Sequence, residues 1–456
     1  MTSAQTSPIS LHSFYIYNAT YGPREGEEHK KVLFFHPSST NLDTQIRSVG
    51  LSEAVVQFAD EFAPSKSCEA VHTQKTRQLF LNPEPDFWIV LIVKVPVTHR
   101  TEDGKTIAEY HEEDVQDTVY QAVLKQAYTM FKFFMGSFAD IVNKFSIEEL
   151  KSRLNHFFSQ YLETLRLNQS DILDIQNGIQ FLPLDKNTYL RIQCFINLIE
   201  ASFTQIKYTA FLYNDQLVWS GLEQDDMRTL YKYLTTSLFP TLLDTEESAA
   251  KGPQGSAHFG KFVKGPKNFG DVNASIQLPN IYIHSESKTD VLHLVVYRAL
   301  SATVCLMVDG SALPSRDWFR KIDQFLGPQL SRLASDIAEQ YANRKVSGGS
   351  QDYKFVYFNH MNLAQKTTVH SKKTASLTIS PEILRLIADI NADFSKSEED
   401  GEAFMRSLTD WWVVGKKSDQ REFYVAINQK NWNLIEVNEE MKKMCASHFT
   451  NIFFLD

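Results

Sequence analysis

The chain has 456 residues, too many for a single hydrophobic core when domains average roughly 100–200 residues. Its 43% hydrophobic and 22% charged content belongs to a folded globular protein and excludes a disordered one. A net charge of −9 argues against a generic nucleic-acid binder, whose affinity rests on Lys and Arg neutralising phosphates.

In chain order, the start MTSAQTSPIS lacks a charged segment followed by an apolar core, so no secretory signal is expected. FYIYN (14–18) leads through the turn ATYGPREGEEHK into KVLFFHP (31–37), two strands joined as a hairpin. Ile46, Leu51, Val55, Phe58 and Phe62 then recur close to helical spacing and predict an amphipathic helix with these residues on its apolar face. HTQKTRQLFL reads as a strand with a polar entry. FWIVLIVKVPV (87–97) is about half the ~20 residues a membrane helix needs, and Lys94 interrupts it. It predicts a strand buried on both faces. One helix is expected over 115–142, with Val119, Val123, Met130, Phe134, Phe138 and Ile141 on one stripe. Another is expected over 147–166, opened by the capping box Ser146 to Glu149.

The rhythm then repeats. TAFLYN (209–214) turns at Asn214 and Asp215 into QLVWSGL, and the helix DDMRTLYKYLTTSLF follows. NIYIHS and DVLHLVVYRALSATVCLMVDG supply strands, and DWFRKIDQFLGPQLSRLASDIAEQYA a helix. KFVYFNH (354–360) pairs with KTTVHS (366–371). Ser380 and Pro381 open EILRLIADINADF as N-cap and first helical residue. WWVVGKKSDQREFYVAIN is a hairpin and NEEMKKMCASHF a terminal helix. Hairpin then helix thus occurs three times. Boundaries fall near 168–185 and at VSGGSQD (346–352), giving three α+β domains over 10–168, 169–346 and 352–456.

Motifs for chemistry are sparse. No GxxxxGK[ST], HExxH or GxSxG occurs, and the histidines lack metal-ligand spacing. Cys68, Cys194, Cys305 and Cys445 contain no CxxC, so neither a zinc ribbon nor a disulfide framework is implied, and reduced cytosolic thiols are the plain reading. Glu223, Asp225 and Asp226 could form an acid/base cluster as in a hydrolase. They also stand at a predicted helix start, where carboxylates accept backbone N–H groups and meet the positive end of the dipole. The second reading is the stronger, because no nucleophile or metal set stands nearby in sequence. SAAKGPQGSAHFGKFVKGPKNFG (248–270) carries Lys251, Lys261, Lys264 and Lys267, three Phe and no acid. It is a basic-aromatic insertion at about 241–280, either a solvated linker or a contact for an anionic membrane through Lys261, Phe262, Lys264 and Lys267.

Several stretches carry a family likeness: HSFYIYNATYGPREGEEHKKVLFFHP, HTQKTRQLF, YTAFLYNDQLVWSGLEQDDMRTLYKYLTTSLFP, FNHMNLA, WWVVGKKSDQREFYVAINQKNWNLIEVNEE and HFTNIFFLD. Together they resemble the metazoan vacuolar-fusion proteins of the Ccz (caffeine, calcium and zinc sensitivity) family, from about residue 10 to the end. The resemblance implies three longin domains and an obligate heterodimer with a Mon-family tri-longin protein. It also implies an animal-specific third regulatory subunit. The assembly would be the guanine-nucleotide exchange factor for the late-endosomal Rab GTPase, cytosolic and recruited peripherally to endosome and lysosome membranes. It would act in endosome maturation and in lysosome and autophagosome fusion, without cofactor, metal or nucleic acid. Such a factor breaks no covalent bond; it binds the nucleotide-free GTPase better than the loaded form.

On that reading the residues that matter are exposed ones on the first domain. The candidates are Tyr21, Arg24 and Glu25 at the hairpin tip, and His72, Gln74, Lys75 and Arg77 at the polar strand entry. Glu53, Gln57 and Asp60 join them on the solvent face of the first helix. A competing reading is a non-catalytic longin-type trafficking adaptor or scaffold, which would favour GTP-loaded GTPase.

Overall fold

The structure, a computed structural model, describes residues 5–64, 67–102, 105–242, 260–266, 278–285, 288–345, 353–370, 378–397 and 399–448. Residues 1–175 form one compact unit and 176–456 a second.

The first unit is built on β1 (Gln5–Ser7), β2 (Ser10–Asn18), β3 (Val32–His36), α1 (Leu42–Phe62), β4 (Ala70–His72), β5 (Thr76–Glu84) and β6 (Phe87–Lys94). It continues with β7 (Val97–Glu102), β8 (Lys105–Tyr110), α2 (Asp117–Met135), α3 (Phe138–Lys144), α4 (Ile147–Thr164) and α5 (Ile172–Gln176). The main sheet runs β3-β2-β6-β5-β4, all antiparallel, and β1-β7-β8 form a second, smaller sheet. Successive side chains point to opposite faces, and both faces of the main sheet are covered. Tyr15, Tyr17, Val90 and Ile92 meet Val49 and Val56 of α1. Phe14, Ile16, Ile89, Leu91 and Val93 meet Val123, Leu124 and Phe131 of α2 and Leu154 and Phe158 of α4. This double burial explains the unbroken apolar run of β6. The single helix expected over 115–142 is two: Gly136, at φ +94°, ends α2, and Ser137 caps α3.

The second unit carries two more sheets. The first of them uses α6 (Lys186–Ser202), β9 (Ile206–Tyr213), β10 (Gln216–Ser220), α7 (Gln224–Tyr233), β11 (Lys261–Lys264) and β12 (Asn280–Ser285). It is completed by β13 (Lys288–Ala299), β14 (Ala302–Asp309) and α8 (Arg316–Lys345). Its order is β10-β9-β14-β13-β11, with β12 also on β13. Phe211, Val295, Val304 and Leu306 pack with Ile192, Phe195 and Ile199 of α6 and with Phe319, Ile322 and Leu326 of α8. Helix α6 has no counterpart in the sequence reading.

The last sheet uses β15 (Tyr353–Asn359), β16 (Ala364–Thr367), α9 (Pro381–Lys396), β17 (Gly401–Arg406), β18 (Trp411–Ser418), β19 (Arg421–Asn428) and α10 (Leu434–His448). Its order is β16-β15-β19-β18-β17. Phe355, Phe423 and Val425 face Val437, Met441 and Met444 of α10. On the other face a Cβ at Gly415 would stand 2.5 Å from Ile390 Cγ2, so glycine is what lets α9 lie this close. In each of the three larger sheets, with β12 left out of the count in the second, the strands run 2-1-5-4-3, with a helix between strands 2 and 3.

Between α5 and α6 the chain makes parallel bridges to two sheet edges: Ile179 with Ala364 beside β16, and Phe181 with Leu217 of β10.

Candidate interaction surface of the first domain

The candidates from sequence divide between opposite ends of the first sheet. At one end Asn18 pairs with Phe87; at the other Ser10 and Thr76 both pair with Lys94. The β2–β3 connection, with Tyr21, Arg24 and Glu25, therefore lies at the first end. The β4–β5 turn, with His72, Gln74, Lys75 and Arg77, lies at the second.

At the first end, Tyr21 is half-buried rather than free. Its ring meets Phe87 edge-on at 6.2 Å, and burial, with Asp86 nearby, pushes its phenol up from the usual value. Arg24 and Glu25 are exposed on a turn in which Gly22 and Gly26 both have positive φ. A Cβ at Gly22 would meet Glu27 O at van der Waals overlap, so this position requires glycine. Glu53, expected on the solvent face of α1, instead accepts two hydrogen bonds from Lys31 Nζ, at 2.8 and 2.7 Å. It ties α1 to the end of the hairpin connection. Gln57 and Asp60 are exposed farther along the helix.

At the second end, His72, Gln74 and Lys75 are exposed. His72 Nε2 lies 2.6 Å from Asp117 Oδ2 at the start of α2. Arg77, expected at the surface, is only 4% exposed. Its Nη2 donates to Glu112 O at 2.9 Å and its Nη1 lies 3.5 Å from Asp117. An inward-pointing guanidinium at this strand position is held by paired acceptors, so Arg77 braces the domain and is unsuited to a partner contact.

The surface that sequence reasoning missed lies on α1. Val49, Ser52 and Val56 face the sheet, and Tyr15 OH sits 2.7 Å from Ser52 Oγ. Burial pushes the Tyr15 phenol up to about 12. Small and β-branched residues are what fit against those tyrosines. Of the stripe expected to be buried, Ile46 and Val55 are partly buried, but Leu51, Phe58 and Phe62 point outward, 58%, 65% and 74% exposed. The Phe58 and Phe62 rings touch, their centroids 4.6 Å apart. Both sets recur at helical spacing, so periodicity alone cannot choose between them; the bulk of Phe58 and Phe62 against two buried tyrosines is the signal that could have.

The other candidates fall in the second unit. Lys261, Phe262 and Lys264 form β11, which pairs with β13 rather than standing free as a loop. Phe262, expected at a membrane, is 7% exposed. It packs edge-on against Tyr297 at 4.9 Å and Phe319 at 5.3 Å, so it belongs to the core and not to a lipid contact. Lys267 lies outside the described residues. Glu223, Asp225 and Asp226 do stand at a helix start. Glu223 is the N-cap residue of α7, but its side chain makes no capping hydrogen bond. Asp225 instead accepts from Arg228 Nη2 at 2.7 Å, and Asp225 and Asp226 stand in the first turn, where carboxylates meet the positive end of the helix dipole. No group of three or more His, Cys, Asp or Glu among the described residues could hold a metal ion. No described helix is long and apolar enough to cross a membrane.

Residues 11–136 match the profile described as the first longin domain of INTU, CCZ1 and HPS4. Residues 206–327 and 349–444 match Intu longin-like domains 2 and 3. The vacuolar fusion protein CCZ1 homolog of Xenopus laevis is 52% identical, over 98% of each chain. That of Nematostella vectensis is 51% identical over 100% of each. The homolog of Dictyostelium discoideum is 32% identical over 97% of this chain and 98% of its own. The chain belongs to the Ccz family. Its three larger sheets belong to three longin-type α+β domains, which share the strand order 2-1-5-4-3 once β12 is set aside. The first longin domain of this Ccz-family protein presents an adjacent aromatic pair, Phe58 and Phe62, exposed on a helix.

Proposed function

We propose that the chain is the Ccz subunit of a guanine-nucleotide exchange factor for the late-endosomal Rab GTPase, paired with a Mon-family tri-longin protein. The observation that carries this reading is the outward apolar stripe of α1, with Leu51, Phe58 and Phe62 exposed on one helix face. Burying a side chain of this size is worth about 1.5–3 kcal/mol, and a contiguous exposed apolar patch marks an interaction site. A partner longin domain seated there would lie close to the hairpin end of the sheet with Arg24 and Glu25, while Glu53, Gln57 and Asp60 project from other sides of α1. The two first domains would then offer one joint surface to the GTPase. Catalysis would consist of differential affinity for the nucleotide-free state, which needs no nucleophile or metal. His72, Gln74 and Lys75, at the far end of the sheet, are available to a further subunit such as the regulatory third protein. Lys261, Lys264 and Lys267 remain the residues for a peripheral contact with anionic endosomal lipid, without Phe262.

The test is GDP release from the late-endosomal Rab. Release is expected to be fast with the Ccz–Mon pair, near background with this chain alone, and near background for a pair carrying Phe58→Asp and Phe62→Asp. Equal rates with and without Mon would overturn the shared-surface reading. Tighter binding of the pair to GTP-loaded than to nucleotide-free GTPase would instead make the chain an adaptor.

A further inference from the structure

The segment from Gln176 to Leu182 does more than connect α5 to α6. Against the third longin sheet, Ile179 N donates to Leu363 O at 2.8 Å and Gln365 N donates to Ile179 O at 2.8 Å. Against the second sheet, Leu182 N donates to Leu217 O at 2.9 Å and Leu217 N donates to Gln180 O at 2.8 Å. Four backbone hydrogen bonds thus add one short strand to both sheets, at β16 on one side and β10 on the other. These are the outer strands of their sheets, where unpaired N–H and C=O groups would otherwise face outward.

The side chains reinforce this double pairing. Ile179 is 2% exposed and Leu182 8%. Gln365 Nε2 donates to Gln176 Oε1 at 3.2 Å in a buried pair. A Cβ at Gly178 would stand 2.5 Å from Gln365 Cβ and 3.0 Å from the Phe358 ring, so only glycine lets the segment approach β15 and β16 this closely. Asn177 supplies the turn into it with φ +43°, a conformation Asn tolerates.

We propose that residues 176–182 are a clasp that holds the third longin domain to the second independently of the covalent connection at 346–352. The clasp makes the two domains a single mechanical body. The chain reaches it straight from the first unit, so the one segment is both tether and lock.

The experiment inserts a protease recognition sequence between Gly348 and Gly349 of the full-length chain and cleaves to completion. With the clasp intact, the fragment starting after the cut is expected to co-elute with residues 1–348 on gel filtration at low micromolar concentration. With Gly178→Val, or separately Ile179→Pro, the uncut chain is expected to keep its far-ultraviolet circular dichroism and its elution volume. After cleavage of either variant the fragment is expected to elute alone. Separation of the fragments with the clasp intact, or retention in both variants, overturns the proposal. Should a variant fail to fold, amide exchange in the unaltered chain decides the matter. The amides of Ile179, Leu182, Leu217 and Gln365 are expected in the same slow class as those of β9 and β15. Fast exchange at these four overturns the clasp.

Discussion

Glu422 shows how one residue can hold a domain together and set its response to acid. It is 3% exposed on β19, and its carboxylate accepts from Asn391 Nδ2 and Tyr424 OH, each at 2.8 Å, with His360 Nε2 at 2.9 Å. Burial alone would raise its pKa, yet the hydrogen bonds from His360, Tyr424 and Asn391 outweigh that and leave the carboxyl below its ordinary value. A depressed folded-state pKa contributes stability that is complete above the unfolded value of 4.5 and is lost as pH falls through the folded one. Glu422→Ala leaves the Tyr424 hydroxyl without its acceptor and Asn391 Nδ2 with Tyr424 OH alone, and is expected to cost about 3 kcal/mol at neutral pH, read from urea denaturation. Glu422→Gln keeps the shape, and its deficit against the unaltered protein is expected to shrink below pH 4.5. A deficit independent of pH would remove the charge from the explanation. Nothing in the sequence marked this residue, because its partners lie on a strand, a helix and a turn up to 62 positions away.

At the scale of elements, the sequence spoke clearly where one pattern stood alone. The two-residue turn at Asn214 and Asp215 is present, with Asn214 at φ +54° and Tyr213 paired to Gln216. Ser146 caps α4, its Oγ accepting from Glu149 N at 3.2 Å. Ser380 holds the N-cap position of α9 without a capping bond, and its hydroxyl is buried with no hydrogen-bond partner. Helix α1 was misread for a different reason: it carries two apolar stripes, and periodicity does not say which one a given sheet accepts. The choice was made by Tyr15 and Tyr17, which leave room for Val49, Ser52 and Val56 but not for phenylalanine. Phe58→Ser with Phe62→Ser is therefore expected to change folding stability by no more than about 0.5 kcal/mol while abolishing capture by the partner. Val56→Ala is expected to cost about 1–2 kcal/mol and to leave capture intact once folded. Thermal melts paired with co-purification separate the two outcomes, and reversed results would return the aromatic stripe to the core.

For the whole molecule, three repeats of hairpin and helix were legible because each is a local pattern. Their grouping was not. The first longin domain lies in one compact unit and the other two share the second, a grouping that depends on contacts between residues far apart in sequence. Smaller features escaped for related reasons. The β1-β7-β8 sheet uses polar strands such as VTHRTE, whose composition gives no burial signal. Strand β11 was hidden inside a basic stretch that reads as linker, although Phe262 fills a core position. Scanning calorimetry of the full chain is expected to resolve two transitions, one for each unit. Three independent transitions would contradict the grouping.

The clasp also has a timetable. Gln365 follows Gln176 by 189 residues, and synthesis proceeds at roughly 5–20 residues per second. Segment 176–182 therefore leaves the ribosome roughly 10–40 seconds before its second partner exists. It can close on β10 early, once Leu217 has emerged, but its other flank must wait for β16. One flank of the clasp can thus close well before the other, and a nascent chain halted before Leu363 would display Ile179 without its β16 partner.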